Sequence, residues 1–217
     1  MKKLAVFLVS AFIAGQSHAT VYNDATGDTF FGGHMDILSV EVLDDLTDIS
    51  FNITLNAANP GWGNYMVGIS TTAGGSTANP WLRPITFNGN PIDFWVGTWT
   101  DGGGGSQFWS YDGANWNNQG VAGNFATGPT TVSFSLTLAS LGLGVGDTLF
   151  FDVFSSGTGG GDAAIDSLND PNQTVAGWGD SYNATLSSSY TIVPEPASFT
   201  LLALGGAVVA LLRRRRA

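Results

Sequence analysis

The chain has no cysteine in its 217 residues. This excludes disulfide staples, thiolate zinc, iron–sulfur ligation and a cysteine nucleophile. Histidine is almost as scarce, with His18 and His34 the two present. His18 falls in a segment read below as a removed leader, which leaves no two-histidine metal site and no histidine triad with spare ligands. Basic charge is missing from the body. Lys and Arg number 7 against 17 Asp and Glu, for a net charge of -10. Lys2, Lys3 and Arg213 to Arg216 sit at the two ends, so from Thr20 to Val193 the single base Arg83 stands against every acid but Glu195. Such a body repels a phosphate backbone, so no nucleic-acid partner is expected. What the chain does have is 30 glycines and 12% aromatics. Glycine is at about twice its ordinary usage. That combination predicts short strands joined by glycine turns rather than disorder.

The two ends read as addresses. Met1-Lys2-Lys3 is followed by an apolar stretch, Leu4 to Ala14, and then by Ser17-His18-Ala19. A basic start, a short greasy segment and small residues at the −3 and −1 positions predict a signal helix over 1–19, cut after Ala19 by signal peptidase. The apolar stretch is too short for a bilayer core of ~30 Å. At the other end Pro194-Glu195-Pro196 precedes the uncharged run Ala197 to Leu212 and the cluster Arg213, Arg214, Arg215, Arg216. As a helix, 197–212 covers roughly 24 Å at ~1.5 Å per residue, enough for a thin bilayer if its flanks snorkel. The arginines hold that end on the cytoplasmic side. Each proline forbids regular helix and pushes the preceding residue toward extended geometry. The tripeptide is thus a stiff stem within reach of a peptidase.

A Pro-Glu-Pro, an apolar helix and a terminal arginine cluster, in that order over 194–217, resemble the PEP-CTERM sorting signal of exopolysaccharide-producing Gram-negative bacteria. The resemblance implies a membrane peptidase of the exosortase type as partner, and a transient inner-membrane intermediate. It also implies delivery to the cell surface or extracellular matrix.

Between the ends, 20–193 reads as one secreted all-β domain. Ile49, Phe51, Ile53 and Leu55 alternate with Ser50, Asn52 and Thr54, the period of a half-buried strand. Thr131 to Leu138 does the same. Asp36 to Val42 places Leu38, Val40 and Val42 on one face, and Tyr65 to Ser70 places Tyr65, Val67 and Ile69 together. Thr148 to Phe154 is apolar on both faces apart from Asp152, which predicts a central strand, and Leu186 to Ile192 a closing one. Asn88-Gly89 predicts a hairpin between Ile85 to Phe87 and Ile92 to Trp99. A two-residue loop at Asp112-Gly113 predicts Trp109 opposite Trp116. A turn is expected over Ala139 to Leu143 and a short helix after Asp162. About eight to ten strands with frequent turns predict an antiparallel β-sandwich, jelly-roll-like, with a signal helix before it and a transmembrane helix after it.

Asp24-Ala-Thr-Gly-Asp28, Asp36-Ile-Leu-Ser-Val-Glu-Val42 and Ile49 to Leu55 are similar to the opening of DOMON-type domains and family-nine carbohydrate-binding modules. That similarity implies a sugar-binding sandwich. Haem does not carry over, because His34 and Met35 are adjacent and cannot be axial ligands on opposite sides of a haem.

Two sets of residues are candidates for chemistry. Ile92, Phe94 and Val96 predict a core face for their strand, which puts Asp93, Trp95 and Trp99 on the other. Trp109, Tyr111 and Trp116 would make a second plate. An aromatic plate covers the C–H face of a sugar while Asp accepts its hydroxyls, so Asp93, Trp95, Trp99, Trp109 and Trp116 are the expected polysaccharide contacts. The competing reading is that these rings fill the core. Asp24 and Asp28 flank a turn, and Asp162, Asp166 and Asp170 recur every fourth residue. Asp24, Asp28, Asp162 and Asp166 are the expected ligands of a calcium ion, which takes hard oxygens; the competing reading is a solvated Gly/Asp loop. No other cofactor is expected. Gly-x-Ser-x-Gly, His-Glu-x-x-His and Ser-x-x-Lys are all absent. The expected function is a secreted, non-catalytic surface or matrix protein that contacts polysaccharide. The alternatives are a purely structural matrix protein and, behind it, a glycoside-active enzyme built on two carboxylates.

Overall fold

The computed structural model describes residues 18–72, 74–172 and 175–193. Its strands, in chain order, are β1 (His18–Asn23), β2 (Ile37–Asp44), β3 (Asp48–Leu55), β4 (Asn64–Ser70), β5 (Ile85–Thr86), β6 (Phe94–Trp99), β7 (Gly105–Tyr111), β8 (Trp116–Gly120), β9 (Gly123–Thr127), β10 (Thr131–Thr137), β11 (Thr148–Ser156), β12 (Asp166–Ser167), β13 (Tyr182–Asn183) and β14 (Ser188–Thr191). One antiparallel sheet runs β1-β2-β3-β10-β9. The other runs β12-β11-β4-β6-β7-β8, with β14 paired to β11 beside β12. The two pack face to face as a β-sandwich, and neither closes into a barrel.

The alternation in β3 and β10 does what the period requires. Ile49, Phe51, Ile53 and Leu55 are buried, as are Val132, Phe134 and Leu136. Their register sets Phe51 opposite Phe134, rings stacked at 5.3 Å. Phe51 also meets Phe151 of the facing sheet edge-on at 5.4 Å, which joins the two layers. β11 is central as expected, with β4 on one side and β14 and β12 on the other. In β2 the expectation for Leu38 fails. A bulge between Ile37 and Ser39 breaks the period, so Ile37 is buried and Leu38 is exposed.

Both hairpins differ from expectation. Asn88-Gly89 does turn, with Gly89 at φ 89, a value that favours glycine. Its arms bond not to each other but to the preceding segment, through Phe87 N–H to Thr77 O and Ile92 N–H to Ser76 O. β5 then pairs in parallel with β13. At Asp112-Gly113 the loop is longer than two residues. The Asp112 carboxylate accepts the N–H groups of Ala114 and Asn115, at 2.9 and 2.7 Å, and this widens the turn. Tyr111 consequently faces Trp116, and Trp109 faces Asn118. The expected helix after Asp162 is absent, because Asp166 and Ser167 pair with β11 instead. The turn near Ala139 is present as a 3-10 helix, Leu138–Leu141, whose first turn is capped by Thr137.

A second apolar cluster covers the outer face of the larger sheet. Met66, Phe87, Ile92, Trp95, Phe154, Tyr182 and Leu186 belong to it. The chain between β4 and β6, and between β11 and β14, folds back over strands already buried on their inner face. Trp81 lies so close to β6 that a Cβ on Gly97 would enter its indole ring.

Tyr190 of β14 reaches the smaller sheet. Its hydroxyl bonds the Asp44 carboxylate at 2.7 Å and the His18 carbonyl at 2.6 Å. Cleavage after Ala19 would shorten β1 and remove the His18 contact, while Asp44 remains. Among the described residues no helix is long and apolar enough to cross a membrane. The expected signal helix through Ser17, and all of 194–217, lie outside the described residues.

Candidate functional site

Three places carry chemistry that the fold alone does not require. The first is an acidic pocket where the end of β1 meets β12. Asp24 and Asp28 bracket the turn after β1, and Asp166 opens β12. Each offers one carboxylate oxygen to a group whose members all lie within 4.8 Å of one another. Asp36, just before β2, supports the same turn. Its Oδ2 accepts the Gly27 N–H at 2.8 Å and the Asn56 amide at 2.9 Å. Asp166 is fully buried and accepts the N–H groups of Ile37 and Ser167. Four oxygens receive no hydrogen bond although solvent does not reach them: Asp24 Oδ2, both oxygens of Asp28, and Asp36 Oδ1. Burial pushes the Asp24 carboxyl up to about 7 and Asp166 up to about 9, and the neighbouring carboxylates add to both. Asp28 is raised for the same reasons. Asp152, buried in β11 behind them, also holds its proton well above the usual carboxylate range because of burial.

Three of the four acids expected to bind calcium are therefore together, and the fourth is not. Asp162 Oδ2 accepts the Gly159 N–H of its own loop at 2.8 Å. The expected spacing of four rested on a helix that does not form. Asp36 was not among the expected ligands, because in the sequence it reads only as the start of a strand.

The second place is the expected aromatic platform, and here the structure corrects the sequence. Trp95 is fully buried, stacked on Phe154 at 6.2 Å. Trp109 and Trp116 pack against the same outer cluster. Trp109 Nε1 donates to Gln107 Oε1 at 3.2 Å, and Trp116 Nε1 to the Ala78 carbonyl at 3.0 Å. Trp99 is half-buried and tilted against Trp81 at 6.4 Å. Asp93 Oδ2 accepts from the backbone and hydroxyl of both Thr71 and Thr72. These side chains hold the covering segments on the sheet. Period two correctly separates Trp95 from Phe94 and Val96, but it does not reveal that both faces are covered. Asp93 and Asp147 do line a hollow of ≈ 510 Å³. Asp147 Oδ2 is likewise engaged, by the Gly144 N–H at 2.8 Å.

The third place was missed by the sequence reading. Phe30, Phe31, His34, Trp62 and Trp178 form one ring cluster, with Phe31–Trp178 at 4.9 Å, His34–Trp62 at 4.6 Å and Trp62–Trp178 at 6.4 Å. Phe30 and Phe31 are 38% and 42% exposed. Trp62 and Trp178 also line a shallow hollow of ≈ 280 Å³ with Gly157, Thr158 and Asp162. A signal for it exists: both tryptophans sit in Gly-Trp-Gly, at 61–63 and 177–179. A tryptophan between glycines belongs to a loop, not to a strand core. Arg83 fixes the rim. Its Nη1 donates to Ser156 Oγ at 2.7 Å and to the carbonyls of Gly159 and Asp162 at 3.0 and 3.1 Å.

No curated protein and no solved structure was found to match the chain. One family does match, at the C-terminus and over the residues that the sequence reading singled out there. The chain carries the PEP-CTERM protein-sorting motif at residues 193–216, which marks it for sorting by exosortase to the cell surface.

Proposed function

We propose that the chain is an exported, non-catalytic β-sandwich protein, processed at or near Pro194-Glu195-Pro196 and released to the cell surface or the exopolysaccharide matrix. The sorting motif at 193–216 carries this reading. The acidic body, with Arg83 as its lone base, is compatible with free passage through a hydrated matrix. The non-catalytic part is supported by the ≈ 510 Å³ hollow, where Asp93 and Asp147 are engaged by loop donors rather than left free to act as acid and base. Fractionation of cells expressing Glu195→Ala tests the sorting step. The full-length chain is expected to accumulate in the inner membrane, with the released form lost. Release at the wild-type level would refute processing at this motif.

A second element of the reading is polysaccharide contact at the Phe31, Trp62 and Trp178 cluster rather than at Trp95. The observation behind it is a group of rings, Phe31 exposed and Trp62 and Trp178 half-buried, beside a hollow that also presents Asp162. Trp178→Ala is expected to abolish retention of the protein on matrix polysaccharide and to leave its melting temperature within a few degrees. Undiminished retention in the Trp62→Ala/Trp178→Ala double variant would leave the purely structural matrix role.

A further inference from the structure

We infer that Asp24, Asp28 and Asp166, backed by Asp36, form a calcium site that fastens the 24–36 loop to β12. A cluster of acids alone would not carry this. The argument rests on which oxygens are left without donors. Asp36 is 2% exposed, its Oδ2 is held by Gly27 and Asn56, and its Oδ1 has no partner. Asp24 Oδ2 and both Asp28 oxygens are shut from solvent and equally unpaired. Buried carboxylate oxygens nearly always have a donor. Among the described residues no Lys or Arg supplies one. Arg83 is the single Lys or Arg among the described residues, and it points at Ser156, Gly159 and Asp162.

The spacing suits a hard divalent ion. Calcium binds oxygens at ~2.3–2.6 Å, so two ligands on opposite sides of the ion stand roughly 5 Å apart. The three offered oxygens lie within 4.8 Å of one another. The ligands come from distant parts of the chain, since Asp24 and Asp28 belong to the turn after β1 and Asp166 to β12 on the other sheet. An ion there cross-links the two layers. The same loop continues into Phe30, Phe31 and His34, so the ion also sets the position of that side of the ring cluster. The inference holds whether or not the rings meet a sugar.

The test uses the full chain in detergent, stripped with chelator and titrated with calcium chloride by calorimetry and by thermal unfolding. One ion per chain is expected, with saturation by about 5 mM, above the ~10⁻⁴–10⁻³ M range of extracellular modules. The melting temperature should keep rising with the logarithm of calcium beyond that point. Asp28→Asn, on a partly exposed turn, should weaken binding at least tenfold and remove the thermal response, while Asp162→Asn should bind as the wild type does. No heat and no thermal shift in the wild type at about 5 mM calcium would overturn the inference. So would wild-type affinity in Asp28→Asn, or loss of binding in Asp162→Asn. If Asp28→Asn fails to fold, the wild-type titration decides alone.

Discussion

Trp95→Ala is expected to destabilise the protein by about 3–5 kcal/mol. For a domain of this size each kcal/mol moves the melting temperature by roughly 2–4 °C, so the transition should fall by about 6–20 °C. The reason is volume. The indole is fully buried between Phe154, stacked at 6.2 Å, Phe87 at 6.1 Å and Trp81 at 6.4 Å. Removing it leaves a hole in a cover made of two separate chain segments, which cannot both close on it. Trp95→Phe separates packing from polarity. The Trp95 Nε1–H is buried with no acceptor, so losing it relieves a cost while a smaller ring is left behind. The phenylalanine variant should therefore lose less than half of what alanine loses. Urea titration of the three proteins measures this directly. A Trp95→Ala protein that melts with the wild type but no longer binds polysaccharide would show that the ring lies on the surface after all.

Arg83→Ala is expected to cost on the order of 3 kcal/mol, because one buried cation serves several acceptors at once. Its Nη1 ties Ser156 Oγ and the carbonyls of Gly159 and Asp162, and its guanidinium lies 5.5 Å over the Trp81 ring. Without it those carbonyls lose their donor, and the 157–162 loop loses its link to the segment that covers the sheet. Arg83→Lys should rescue only part, since all three bonds come from one nitrogen, Nη1, but the shorter side chain ends before that position and has no flat face to lay on the indole. The effect should also be local. The Gly159 amide, which donates to Asp162 Oδ2 at 2.8 Å, should exchange with deuterium faster in Arg83→Ala, even under conditions where the strand amides of β3 and β10 are unchanged. Uniform loss of protection across all strands would mean that Arg83 supports the whole fold instead of this corner.

Much of this molecule can be read before any coordinates are seen, and the reason differs from part to part. β3 and β10 are legible because period two states which side chains share a face, and one buried face imposes the rest. β11 is legible because a strand that is apolar on both sides must lie in the middle of something. The tail is legible because a sorting signal is read linearly by its receptor, without a fold. The failures are equally specific. The bulge at Leu38 and the widened turn at Asp112 are local events that a repeat pattern does not announce. The acids at 162, 166 and 170 suggest a helix only if their neighbours allow one, and pairing with β11 wins.

The amino-acid sequence by itself determined the sorting address at the C-terminal end, the negative body and the alternating strands, because each of these depends on residues that are neighbours along the chain. The tertiary structure decided which tryptophans are covered, because the segments that cover Trp95 come from elsewhere in the chain. It also decided that Asp24 and Asp28 meet Asp166, since strand order and register, not spacing, bring one turn of the smaller sheet against the edge of the larger.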